Sequence, residues 1–500
     1  MSRNHLMRPS VIEEIPKFEN THMRYISTTY TRYVLAIAIV FLLATCKDDE
    51  VTPSTNTADE NEYVNNWILE NMKFWYLWND RIPSDPDETK APADFFASLL
   101  YTSEDRFSWI QENYQELLNS LQGVSKEGGY EYRLYRESSS NNNVIAQIVY
   151  IKPSSPAAQA GLKRGDVITH INEQQITLSN YQTLTGAIAE NHTLRYRPLL
   201  IDDEKFDTEK TASLTTVEYQ ENPNYLHTVI ESGDHKIGYF VYNFFAVGPA
   251  ISSTTYDDEM ESVFADFKSQ GITDLVLDLR YNSGGSETSA NNLASLIGTG
   301  VTSSNVFLKR EYNEDVENEI INDATMGEAY LTSNFKTKAS NVGSQLQNSR
   351  LYVLASSRTA SASELVINAL KPYMEVFIVG DTTYGKNVGS ISLYKENDSK
   401  NTWGMQPIVV KVYNSLNQSD YSKGFAPNIL NEDNSLYIYP LGDSRENLLS
   451  LALEQITGEA TSGRVANRET KQFIGSSLDE KARGFTLNAD QVDIRKVIVH

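Results

Sequence analysis

The 500-residue sequence contains a single cysteine, Cys46, which excludes an intramolecular disulfide framework and any multi-thiolate zinc site. Its seven histidines are scattered, and none forms a His-Glu-x-x-His pair, so no zinc-hydrolase motif is present and no metal or other cofactor is expected. Positive charge is also scarce: 43 basic residues against 66 acidic give a formal charge of −23. That balance argues against nucleic acid as a partner, because phosphate binding depends on clustered Lys and Arg. What is present is an ordinary folding composition, 40% hydrophobic and 10% aromatic, in a chain long enough for several domains of about 150 residues.

Tyr33 to Ala44, YVLAIAIVFLLA, is an apolar run preceded by Arg24 and Arg32. It is too short to cross a hydrocarbon core of about 30 Å comfortably, but it has the length of a signal-peptide core. The run ends in Leu-Ala-Thr-Cys at Cys46, which resembles the bacterial lipoprotein box, in which the cysteine is lipidated and becomes the first mature residue. A start at Met23 gives the segment ordinary signal-peptide proportions. Residues 1–45 are therefore expected to be a signal peptide and 46–59 a lipidated polar tether. The expected location is the cell envelope, with the chain anchored by lipid to the outer membrane and facing the periplasm or the cell surface. An uncleaved anchor is the competing reading of the apolar run.

The expected fold class is multidomain α+β. Residues 60–118 carry helical spacing and aromatics, interrupted by Pro83 and Pro86, and define a small N-terminal helical domain in which Trp67, Trp75, Trp78 and Trp109 are expected to form a core. Across 119–212 the pattern changes to short strands, with a small-residue helix and a glycine stop in SPAAQAGLKRGDVI. From 213 to 460, buried strand-length runs alternate with helical stretches, as expected for an α/β core with a largely parallel sheet. Residues 461–500 are left unassigned.

Three loops in that core follow buried strands: Arg280 to Gly285 after LVLDL, Ser356 to Glu364 after LYVLA, and Asp381 to Lys386 after VFIVG. In a parallel sheet such loops leave from one edge, where open α/β sheets place their sites. Ser361 precedes the helical stretch ELVINALKPY, whose N-terminal N–H groups favour an oxyanion. The same Ser-Ala-Ser-Glu364 stretch fits a capping box, in which the hydroxyl only caps the helix. Lys386 lies twenty-five residues on, enough for one helix and a returning strand. A neutral lysine there would deprotonate the serine if burial and the adjacent helix terminus lowered its pKa.

Taken together, DLRYNSGG, SASE and GDTTYGK, preceded by the SPAAQAGLKRGDVI stretch of PDZ type, resemble the C-terminal processing (tail-specific) serine peptidases over roughly residues 60–455. The resemblance implies Ser361 as nucleophile, Lys386 as general base, and an oxyanion hole from the N–H of Ala362 with that of Gly284 or Gly285. It implies supporting roles for Glu364 and Thr383. Many relatives carry a glutamine four residues after the lysine, where this sequence has Ser390, expected as the third supporting residue. The implied substrates are proteins or peptides whose free C-terminus is held by the inserted PDZ-like domain, with the glycine-bearing stretch Gly123–Tyr130 capturing the terminal carboxylate. A catalytically weakened envelope lipoprotein that binds polypeptide tails is the alternative.

Overall fold

The computed structural model describes residues 56–250, 252–459 and 471–479. The expected signal segment, Cys46 and most of the tether lie outside the described residues. Helix Asn56–Trp75 already begins within the stretch expected to be tether. Ile68, Met72 and Trp75 fall on one buried face of it and pack with Phe95 and Phe96 of helix Pro92–Leu99. Trp67 joins this core and Trp78 flanks it, whereas Trp109 does not belong to it. Trp109 instead opens the short strand Trp109–Gln111, paired antiparallel with Gly404–Gln406. The helical reading of residues 100–110 is corrected for a local reason. The Asp105 carboxylate accepts the N–H groups of Phe107 and Ser108, each at 2.9 Å, and turns the chain.

The PDZ-like module is a sheet in the order Lys210–Leu214, His192–Arg197, Val167–Ile171, Val144–Ile151, Tyr130–Arg136 and Phe473–Ser476. Its last strand comes from the segment that sequence patterning left unplaced. The expected carboxylate-binding loop is largely extended backbone, because Val124–Glu127 pairs antiparallel with Val217–Gln220. The remaining turn, Gly128–Gly129, offers its carbonyls to the N–H groups of Ala157 and Lys152 at 2.9 Å each.

The α/β core is a six-stranded sheet in the order Asn224–Ser232, His235–Tyr242, Asp274–Asp278, Arg350–Ala355, Glu375–Gly380 and Ile429–Leu430. Only the first pair is antiparallel. Alternate side chains bury on opposite faces: Leu275, Leu277 and Val353 pack with helices Thr255–Gln270, Glu287–Ile297 and Ala362–Leu370, while Val276, Leu354 and Val379 pack with helix Asn447–Thr457. Burial on both faces explains why these strands read as unbroken apolar runs.

Under the sheet edge, the fully buried Arg280 binds Asp278, Asp433 and Glu446 at 2.6 to 3.2 Å. Two guanidinium groups from the PDZ-like module complete the cluster, Arg164 on Glu446 at 3.2 Å and Arg133 on Asp433 at 3.6 Å. Burial alone would raise the Asp433 carboxyl, but the surrounding guanidinium groups hold it below the usual range. Removing Arg280 leaves buried carboxylates short of a counter-charge. Arg280→Ala is therefore expected to cost about 3–5 kcal/mol, read as a lower denaturation midpoint; an unchanged midpoint would remove the cluster from the structural account.

Candidate active site

The three loops singled out in the sequence leave adjacent parallel strands and meet. Their contacts are mostly side chain to backbone. In the second loop, Ser356 Oγ donates to Arg280 O at 2.6 Å, Thr359 Oγ1 to Leu279 O at 2.9 Å, and Ser363 Oγ to Asn282 O at 3.1 Å. The third loop joins through the Tyr384 N–H, which donates to Thr359 O at 2.9 Å.

One carboxylate then fixes the second and third loops together. Glu364, fully buried, accepts the Ser361 N–H at 3.0 Å, the Lys386 N–H at 2.7 Å, the Gly385 N–H at 2.7 Å and the Thr383 hydroxyl at 2.6 Å. Burial raises its pKa while these donors work in the opposite direction. Thr383 Oγ1 in turn accepts the Phe425 N–H at 2.7 Å. Glu364 therefore contacts the backbone of both loops, and Thr383 links that carboxylate to the Phe425 backbone.

Ser361 precedes helix Ala362–Leu370 with φ +57° and ψ −114°, a conformation that costs a non-glycine residue about 1–3 kcal/mol. It stands in capping-box position with Glu364, yet its buried Oγ has no hydrogen-bond partner among the described residues. The hydroxyl is thus neither committed to a cap nor bonded to Lys386 in this conformation. Ala362, first residue of the helix, presents an N–H that has no acceptor within the helix.

Gly284 lies directly against the serine. A Cβ built on it would stand 2.7 Å from Ser361 Cβ and 3.1 Å from Ala362 N, and its φ of +112° is itself a glycine conformation. Asn282, which sequence reading passed over, shapes this turn: its Oδ1 accepts the Gly284 N–H at 2.9 Å and its amide donates to Tyr242 O at 2.8 Å. Of the two glycines considered as oxyanion donors, Gly284 therefore has its N–H engaged within the loop.

Burial pushes the Lys386 ammonium down to about 8, against the opposing pull of Asp105 and Glu364. Part of the enclosure comes from the N-terminal helical unit, a contribution that no motif announced. Lys386 Nζ stands 5.3 Å from the Phe107 ring centroid. Arg106 donates to the carbonyls of Tyr384, Gly385 and Ser422 at 3.1 Å each, clamping the lysine loop. Ser390 does not stand alone: its hydroxyl donates to Gln406 Oε1 at 2.8 Å, so a glutamine approaches this position from a neighbouring strand. No sequence spacing could have shown that pairing.

Comparison with known proteins agrees with this architecture. Residues 236–430 match peptidase family S41, residues 63–109 the peptidase S41 N-terminal domain, and residues 147–197 a PDZ domain. The chain is 24% identical over 402 residues to a carboxyl-terminal-processing protease of Picosynechococcus sp., covering 79% of this chain and 86% of that protein. It is 26% identical over 306 residues to a carboxy-terminal-processing protease of Bartonella bacilliformis, covering 60% and 61%. A crystal structure of an S41 protease from Bacteroides fragilis superposes with a TM-score of 0.66 at 28% identity, over 78% of this chain and 97% of that one. The fold and the loop cluster define a multidomain hydrolase with a PDZ module. The chain belongs to peptidase family S41, which implies a serine-type peptidase acting on peptide substrates.

Replacing Glu364 by Ala would leave three backbone N–H groups and a hydroxyl without their acceptor. Each orphaned buried donor costs about 1–3 kcal/mol. The expected outcome is a peptidase whose kcat falls at least about a hundred-fold and whose 356–364 and 381–386 segments exchange amide hydrogens faster. Unchanged exchange in both segments would contradict the role of Glu364.

Proposed function

We propose that the chain is a serine endopeptidase of the C-terminal processing type, with Ser361 as nucleophile and Lys386 as general base. The observation that carries this reading is the combination at Glu364: one carboxylate holds the backbone of a strained, unbonded serine and the backbone of a buried lysine whose amine titrates near 8. A lysine in that range keeps a neutral fraction of about a tenth at pH 7, rising steeply above it, and can act as a base. The Ser361 hydroxyl attacks the scissile carbonyl carbon as its proton passes to Lys386 Nζ. The tetrahedral oxyanion is received by the Ala362 N–H at the helix start and by the N–H of the glycine pair, Gly285 being the one not engaged by Asn282. Collapse of this intermediate breaks the C–N bond, and Lys386 returns the proton to the leaving amine. Water, deprotonated by the now neutral Lys386 Nζ, then attacks the ester carbonyl, and as the ester C–O bond breaks Lys386 returns that proton to Ser361 Oγ.

Closing the dyad requires a local shift that brings Nζ to Oγ, and catalytic hydrogen bonds commonly tighten only when substrate is bound. The Gln406–Ser390 pair, Glu364 and Thr383 serve as positioning groups. The PDZ-like module holds substrate tails by strand addition along Tyr130–Arg136. Beside it, Lys152 faces the carboxylates of Glu127, Glu131 and Glu221. That surplus of negative charge opposes capture of a terminal carboxylate, so backbone pairing supplies the hold. Lipidation at Cys46 would attach the enzyme to the outer membrane, facing the periplasm or the surface.

A fluorophosphonate probe is expected to label the protein and not its Ser361→Ala variant; absence of labelling would favour a tail-binding lipoprotein without catalysis. Lys386→Ala is expected to reduce kcat/KM at least about a hundred-fold while leaving the fold intact. Because the base must be neutral, kcat/KM rises with pH and levels off above about 8. Asp105 favours the charged ammonium, so Asp105→Asn moves that inflection to lower pH. An inflection that stays in place would separate Asp105 from the base.

A further inference from the structure

Strand Tyr130–Arg136 has two edges. One is paired with Val144–Ile151. The other is the edge to which an extended peptide adds in a PDZ domain, and it is already occupied. Phe473–Ser476 runs antiparallel along it, with Phe473 opposite Tyr135, Gly475 opposite Leu134 and Ser476 opposite Arg133. This orientation carries the segment toward the Gly128–Gly129 turn at the start of the strand.

The pairing extends beyond the ladder. At the near end, the Arg136 N–H donates to Gln472 O at 2.9 Å. At the far end, Ser476 Oγ donates to Tyr132 O at 2.8 Å, the Tyr132 N–H donates to Ser477 Oγ at 2.9 Å, and Ser477 Oγ donates to Glu131 Oε2 at 2.6 Å. Side chains follow the pattern of a bound strand. Ile474 packs against the module core, which includes Leu184 of helix Tyr181–Gly186, and Leu478 is buried with Tyr150 and Tyr281. The segment ends on the catalytic side. Arg358, three residues before Ser361, grips Asp479 at 2.7 Å and lies 5.4 Å from the Phe473 ring centroid.

We propose that residues 471–479 are a built-in ligand of the module's strand-addition groove, held by Arg358, which an incoming substrate tail must displace. Its role as a competitor rests on the tail-holding function proposed above. Because the segment is tethered, it competes at an effective concentration on the order of millimolar, so weakly binding tails are excluded. Ser477 and Leu478 also line a cavity of about 390 Å³ that reaches Asn243 and Ser283, beside the loop of Gly284. Displacement of the segment would open that cavity and release Arg358 on the nucleophile loop together.

The test uses the full chain with residues 471–479 replaced by a Gly-Ser stretch of equal length, and Ile474→Asp as a second, minimally altered variant. The probe is a fluorescein-labelled peptide of sequence KQFIGSSLD, followed by anisotropy, with cleavage of dye-quenched casein measured in parallel. Both variants are expected to bind the peptide at least about ten-fold more tightly than the unaltered protein and to cleave casein several-fold faster. Equal peptide affinity in all three proteins, or no binding in any, overturns the proposal. Tighter peptide binding with unchanged casein cleavage supports occupancy of the groove and instead overturns the tail-holding function of the module.

Discussion

The catalytic reading depends on the Glu364 carboxylate. It accepts the Ser361 N–H from the start of one helix and the Lys386 N–H from the end of a separate loop. Two residues far apart in the chain are thereby referred to a single rigid group. With no solvent competing for its oxygens, the carboxylate is satisfied only if all four donors stay in place. The same four bonds leave the serine hydroxyl and the lysine amine free of structural duties. A capping box, read from Ser361 and Glu364 alone, would have used that hydroxyl. Here the acidic half of the motif is kept while the serine is held at positive φ with its Oγ unbonded.

Burial of Lys386 shows how a distant part of the chain enters the chemistry. Its lowered pKa is a desolvation effect, and part of the covering wall is Phe107. The Arg106 side chain secures that wall to three backbone carbonyls around the lysine loop. The helical unit is therefore more than a spacer ahead of the peptidase core. Asp105 does two jobs, folding the turn that presents Phe107 and moderating the loss of charge at the amine.

Much of the fold was legible because its signals are local. Unbroken apolar runs marked strands buried on both faces, and the loops after them were ordered by the topology of a parallel sheet. The motifs likewise carried the choice of Ser361, Lys386, Glu364 and Thr383. What stayed hidden depends on contacts between distant segments. The pairing of Ser390 with Gln406 spans two strands, and Asn282 acts only through the shape of its own turn. Residues 100–110 were read as helical because their aromatics suggested it, whereas the Asp105 side chain competes successfully for the backbone. Residues 471–479 have no pattern of their own, since a strand added at an edge takes its conformation from its neighbour.

The charged cluster beneath the sheet edge has a consequence for how far apart binding and cleavage can occur. Arg133 and Arg164 of the PDZ-like module share Asp433 and Glu446 with Arg280. Swinging the module away as a rigid body would expose paired charges that were matched one for one in the interior. The module is thus a fixed post rather than a swinging jaw. Under the tail-holding function proposed above, a polypeptide moored there would meet the serine at a constant span, and the cut would be measured from the mooring point like a length marked on a ruler.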